Sequence, residues 1–207
     1  MSKTGFLLCL FCNLVVCRTG FAGGGIIGGD QNRNEYERII EIARKEIGVR
    51  ESGGQNCGPR VEAYLAYAGA RKGSPWCAGF ISWVFGQAGY RKPRTAWSPA
   101  LFPKNRVVEI ASLPRNNDRF TPLLRGLNRA KGEFSAANQP QVKGLVLGIY
   151  FPSLRRIAHV GLVEYLRGDW VGTIEGNTSV AGGREGIGVF RRLRHRRAVH
   201  CYSDWIR

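Results

Sequence analysis

Acidic residues are scarce in this 207-residue chain: 15 Asp plus Glu stand against 31 Lys plus Arg, a net charge of +16. Such a surplus draws a protein to polyanions, whether nucleic acid, anionic lipid or a bacterial wall. Histidine is rarer still, with three in all, and beyond residue 22 there is no CxxC pair. The nearest approach to a metal cluster is His195, His200 and Cys201, which lacks the spacing of a zinc site. No recognition-helix, zinc-finger or RNP pattern occurs, so nucleic acid is not an expected partner. Glycine is plentiful at 28 residues but has no three-residue period, which excludes collagen. Internal repeats are absent. With 43% hydrophobic and 22% charged residues, the chain has the composition of one globular domain.

Long apolar runs are missing too. The stretch Gly5 to Cys17 holds 13 residues, too few for the ~20 that a bilayer span needs. It follows Lys3 and is followed by Gly20-Phe21-Ala22, a small-x-small cleavage pattern. Residues 1–22 therefore read as a secretory signal peptide and 23–33 as a Gly-rich tether, with export to the periplasm or the outside. Acylation at Cys17 is the weaker reading, because bulky Val16 stands where a small residue is wanted. Cleavage would leave Cys57, Cys77 and Cys201, an odd number that permits one disulfide, such as Cys57 with Cys201, and leaves one thiol free.

Helical grammar dominates the first half. Asn34 with Glu37 makes a capping box before Tyr36, Ile39, Ile40, Ala43 and Ile47, and Gly48 stops that helix. A second helix starts near Pro59 and closes at Gly69. For the third, Ser74 is the expected N-cap and Pro75 the first helical residue, placing Trp76 and Cys77 in the first turn. Its continuation through Phe80, Ile81, Trp83, Val84 and Phe85 is apolar all round, the mark of a helix buried at the centre of its domain. Residues 90–142 carry six of the nine prolines and form a long excursion, with one short helix expected near 121–130. Strands are expected at 145–151, 157–165, 170–176, 187–192 and 197–202. Helices first and strands afterwards give an α+β domain with an antiparallel sheet over 34–207.

Chemistry is expected where these parts meet. A thiol in the first turn of a helix lies near free backbone N–H groups, which lower its pKa. Buried structural cysteine is the alternative for Cys77, and a base decides between them. His159 stands inside the apolar strand Ile157 to Val163, where alternation puts it on one face with Ile157, Gly161 and Val163. A turn within 166–169 makes paired residue numbers sum to 334–337, setting His159 opposite residues 175–178. Cβ atoms across such a pair are about 5 Å apart. Either Glu175 or Asn177, expected to share a face, could accept from the ring and fix its tautomer. The pattern is nucleophilic catalysis by Cys77 with His159 as base.

Pro75-Trp76-Cys77-Ala78-Gly79-Phe80-Ile81-Ser82-Trp83-Val84 resembles the nucleophile helix of CHAP domains, the cysteine, histidine-dependent amidohydrolases/peptidases. His159-Val160-Gly161 is similar to that family's histidine strand, and Glu175-Gly176-Asn177 to its E-x-N element. Asn56-Cys57-Gly58-Pro59 also fits. The resemblance covers about 34–91 and 143–178. It implies a papain-like fold, related to the NlpC-type cell-wall peptidases, and hydrolysis of amide bonds in peptidoglycan. Cys77 would be nucleophile, His159 base, and Glu175, with Asn177, the orienting group; Trp76 and Trp97 are candidates for lining the groove, with core packing as the alternative for both. The chain departs from the family at Lys143-Gly144-Leu145, where an Asp usually follows the Gly. The acidic cluster by which some members hold calcium is not visible, so no metal and no cofactor is expected, and the protein is expected to be a monomer. Arg191, Arg192, Arg194, Arg196 and Arg197 crowd seven residues. They read either as a patch for anionic envelope polymers or as a solvated turn between strands. A catalytically idle, cationic envelope-binding protein on the same scaffold is the alternative function.

Overall fold

The apolar stripe of the first helix and the Pro at the start of the second appear as α1 (Gly28–Lys45) and α2 (Pro59–Tyr67) in the structure, a computed structural model. It describes residues 28–108, 142–179 and 186–207, with side chains from residue 33 onward. The leader expected at 1–22 and the helix expected near 121–130 lie outside the described residues. Asn34 does not cap α1, because the helix already runs from Gly28 through polar residues that offer nothing to stop it. The expected tether is thus helical from residue 28 onward.

The third helix, α3 (Cys77–Gln87), is buried along Cys77–Phe85. Six strands follow in chain order: β1 (Val107–Val108), β2 (Val146–Phe151), β3 (Arg156–Arg167), β4 (Trp170–Thr178), β5 (Gly188–His195) and β6 (Cys201–Ser203). They form one antiparallel sheet in the order β1-β6-β2-β3-β4-β5. The described residues are therefore an α+β arrangement of three α-helices and a six-stranded sheet, and β1 was hidden in the excursion. Residues 197–200, expected in a strand, instead belong to a 3-10 turn at Arg196–Ala198 and the approach to β6.

One face of the sheet packs Val146, Val160, Leu162, Ile174 and Val189 against α1, α2 and α3. The other buries Leu145, Leu147, Val163, Val171, Val199 and Tyr202. Central strands covered on both faces account for β4 being buried from Val171 to Thr178. Helix α3 can approach β4 closely because Gly176 has no side chain; a Cβ there would lie 2.7 Å from the Trp76 ring and 2.8 Å from Phe80. Helix α1 is fastened to the sheet by buried Glu164 on β3, which pairs with Arg44 at 2.7 Å and Arg191 at 2.9 Å. Among the described residues no helix is long and apolar enough to cross a membrane.

Candidate active site

Cys77 is the first residue of α3, and Trp76, not Ser74, is the N-cap residue. The start moves two residues because Trp76 is held outside the helix. Its indole is fully buried, stacks on Tyr64 at 5.6 Å, and donates to Glu51 at 2.8 Å. Core packing is thus the role of Trp76, and it lines no groove. The shift helps the thiol: Cys77 now stands at the head of the helix, where the Ala78 N–H reaches its sulfur.

His159 is brought to the thiol by β3. Its Nε2 meets Glu175 Oε2 at 2.8 Å, and both side chains are buried. The other ring nitrogen, Nδ1, is buried and makes no hydrogen bond, and the Cys77 thiol is close enough to shift the charge of the ring. Catalytic hydrogen bonds are often loose before substrate binds. Strand β3 carries an extra residue beside β2, since Ile149 pairs with His159 but Tyr150 with Ile157. That bulge breaks the expected alternation: Ile157 packs with the helix-side core instead of sharing the His159 face.

The hairpin register is as the numbering arithmetic required. Val163 pairs with Thr173 and Leu162 with Ile174, sums of 336 within the expected 334–337. Continued along the strand, this register sets Gly161 opposite Glu175, and the close approach confirms it. A Cβ on Gly161 would lie 2.6 Å from Glu175 Cγ. Glu175 therefore lies across the bare Gly161 backbone to reach His159. If Cys77, His159 and Glu175 act together as a nucleophile, a base and its orienting group, substituting Gly161→Ala should displace the carboxylate and lower kcat/KM by about 10²-fold, the scale of a ~1 Å misplacement at a reacting group. Activity within twofold of wild type would show that Glu175 need not lie there.

Asn177 does not join Glu175 on the histidine. Its φ of +54° and the irregular pairing with β5 between Glu175 and Thr178 turn it off the expected face. Oriented so that both amide atoms are satisfied, Asn177 accepts from the Trp76 N–H at 3.2 Å and donates to the Gly186 carbonyl at 2.9 Å. Its work is to hold Trp76, the N-cap residue of α3.

Ser98 was not foreseen. It opens a 3-10 turn, Ser98–Leu101, and its buried hydroxyl lies 3.5 Å from Cys77 Sγ. Two groups far along the chain secure that turn: Ser203 Oγ and Trp205 Nε1 both donate to the Leu101 carbonyl, at 2.7 and 3.1 Å. No local pattern in a proline-rich stretch predicts a pairing across a hundred residues. The neighbouring Trp97 is 54% exposed, with the Arg156 guanidinium 4.2 Å over its ring, so it stays available as a wall beside the site.

The arginine run is not one surface. Strand β5 continues to His195, past the turn expected at 193, and alternation then divides the charges. Arg191 turns to Glu164, whereas Arg194 turns to Glu175 and is only 15% exposed. Arg194 is therefore withdrawn from the surface of this run, while Arg191 and Arg197 stay exposed.

Burial and charge set the thiol apart. Cys57, Cys77 and Cys201 are all free. Burial alone pushes the Cys201 thiol up to about 11. Burial pushes the Cys77 thiol upward too, but the His159 imidazole, the Ser98 hydroxyl and the Ala78 N–H outweigh it and hold the thiol below its usual value. Burial acts downward on His159, yet the neighbouring Cys77 thiol and the bond to Glu175 raise it to about 9. Glu175 is held down to about 2: burial opposes ionisation, but Arg194 and His159 more than compensate. A thiolate–imidazolium pair is the form these shifts favour. Alkylation of Cys77 should accordingly rise at a pH below the ordinary thiol value of ~8.5. A midpoint at or above 8.5 would contradict the pairing. The raised His159 also favours the folded state, fully below ~6.5 and progressively less as pH climbs through about 9.

Among the described residues no three His, Cys, Asp or Glu side chains gather where they could hold a metal ion. No protein-family model matches the chain, and no curated protein matches it. One solved structure, the crystal structure of Ly7917, is similar at 15% identity, covering 81% of this chain and 60% of its own, with a TM-score of 0.34.

Proposed function

We propose that this protein is a cysteine hydrolase of amide bonds, a CHAP-type enzyme of papain-like fold acting on peptidoglycan. The observation that carries the reading is the buried row Cys77, His159 and Glu175, drawn from the head of α3 and from adjacent strands. A buried histidine between a lowered thiol and a carboxylate is the arrangement of a nucleophile, a base and an orienting group.

In this mechanism the Cys77 thiolate attacks the amide carbonyl and forms a tetrahedral oxyanion. Backbone N–H groups at the start of α3 stabilise that charge. The His159 imidazolium gives its proton to the leaving amine as the C–N bond breaks, leaving a thioester on Cys77. Water, deprotonated by His159, then cleaves the thioester and restores the thiol and imidazole pair. Glu175 keeps the Nε2–H of the ring pointed at itself, so that Nδ1 serves the sulfur. Trp97 and Arg156 flank the approach and suit the sugar faces and carboxylates of a wall polymer.

Peptidoglycan as the substrate is supported by the resemblance of the Cys77, His159 and Glu175 segments to CHAP domains and by the net charge of +16. Export through the leader at 1–22 belongs to the same reading. Purified peptidoglycan digested with the chain lacking residues 1–22 tests it, with products read by mass spectrometry. Fragments with new amino termini are expected, and those termini name the bond as amidase or endopeptidase. Wall binding without any product would instead favour the idle cationic binding protein.

A further inference from the structure

The polar row does not end at Glu175. Arg194, on β5, donates to both oxygens of that carboxylate: Nε to Oε1 at 2.8 Å and Nη2 to Oε2 at 2.5 Å. Thr173 Oγ1 adds a third donor at 2.7 Å. Arg194 pairs with Val171 in the sheet, so its side chain runs along the face past Thr173 to arrive there. Facing Glu175 are His159 from β3, with the bare Gly161; Thr173 from its own strand; and Phe190, Arg192 and Arg194 from β5. Cys77 and Ser98 complete the far end.

Counting charge along this row gives an alternation: thiolate, imidazolium, carboxylate, guanidinium. The four sum to zero. Arg192, opposite Thr173 on the same face, is a further cation outside this hydrogen-bonded row; removing the Arg194 guanidinium leaves the row itself with a thiolate and a carboxylate against one imidazolium. An uncompensated buried charge of that kind is strongly disfavoured, and the cheapest way to remove it is to protonate the sulfur. A lysine supplies the charge but not the two-pronged geometry that fixes a carboxylate plane.

We propose that Arg194 is the fourth member of the site, a positioning residue that acts through Glu175 to keep thiolate and imidazolium together. This rests on Cys77 being the nucleophile. It assigns a role in the site to one arginine of a run that the sequence presents as surface charge.

Two titrations of the folded protein that need no substrate test it. One follows iodoacetamide alkylation of Cys77 against pH; the other follows the ring of His159 by NMR. In Arg194→Gln the imidazolium 2.8 Å away keeps Glu175 charged, while the whole row becomes more negative. Both midpoints should therefore rise, the thiol by about one pH unit, which slows alkylation about tenfold below its midpoint. A merely structural role gives another signature: a loosened site relaxes toward ordinary values, with the thiol rising and His159 falling. Arg194→Lys should move both midpoints upward by a smaller amount, and it carries the test alone should Arg194→Gln fail to fold. Midpoints that converge, or that match wild type in both variants, overturn the role of Arg194. A wild-type thiol titrating at its ordinary value overturns the nucleophile itself, so the two failures are distinguishable.

Discussion

If the proposed function holds, Cys77→Ser should lower kcat/KM for amide hydrolysis in peptidoglycan by at least about 10⁴-fold, the scale seen when a catalytic nucleophile is removed from a preorganised site. The reason lies in the resting state. The imidazole of His159 can hold a thiolate beside it because the site lowers the thiol and raises the imidazolium. A serine hydroxyl is far weaker, so the ion pair vanishes and the attacking group must be deprotonated during the reaction. The fold should barely notice. Cys77 is 3% exposed, the replacement is close in volume, and the Ser98 hydroxyl lies where it can pair with the new one. Comparing melting temperature with activity therefore separates chemistry from folding. Activity within tenfold of wild type would remove Cys77 from the mechanism.

Cys77 and His159 are legible in the sequence because each breaks a local rule. A cysteine at the head of an all-apolar helix and a histidine inside an apolar strand both need a reason. Glu175 is legible through hairpin arithmetic, since the turn at Gly168-Asp169 pairs Arg167 with Trp170, a sum of 337, and the one-residue shift between Val163 and Tyr165 lowers it only to 336, still within the expected range. The errors come from places where regular geometry is interrupted. Asn177 leaves the shared face because its backbone is left-handed, and Ile157 leaves it because β3 bulges. Alternation assumes an unbroken pleat, and functional rims of sheets are where bulges collect. Trp76 illustrates a different gap. Sequence marks it as a large aromatic beside Cys77, but only tertiary packing shows it locked between Tyr64 and Glu51.

Ser98 and Arg194 were beyond reach for a further reason. Both act through contacts between segments far apart in the chain. The turn carrying Ser98 is fixed by Ser203 and Trp205, and Arg194 reaches Glu175 only because β5 lies beside β4. Within its own segment Arg194 is one basic residue among five. Strand pairing decides which of them turn inward, and pairing of the last strands depends on the whole sheet. Basic composition alone thus misassigns charge: part of the surplus neutralises buried carboxylates at Glu164 and Glu175 instead of facing a polyanion.

Removing the Glu175 carboxylate should cost both stability and rate. Its two oxygens take bonds from His159, Thr173 and Arg194, and it is fully buried. Glu175→Ala leaves Arg194 without its buried counter-charge, a loss of about 3–5 kcal/mol for a pair broken from one side. At roughly 2–4 °C per kcal/mol for a chain of this size, the melting temperature should fall by about 10 °C. Glu175→Gln is the sharper chemical test because it preserves shape. Every neighbour of this carboxylate presents a donor, so the amide NH₂ must point at one of them. Aimed at His159 Nε2, it forces the proton onto Nδ1, where it blocks the nitrogen meant to serve the sulfur. Aimed at Arg194, it sets donor against donor. Either way kcat/KM should fall, by about 10⁴-fold if the wrong tautomer prevails. A Gln variant with wild-type activity would show that His159 needs no acceptor at all, and the row would then begin and end with Cys77 and its imidazole.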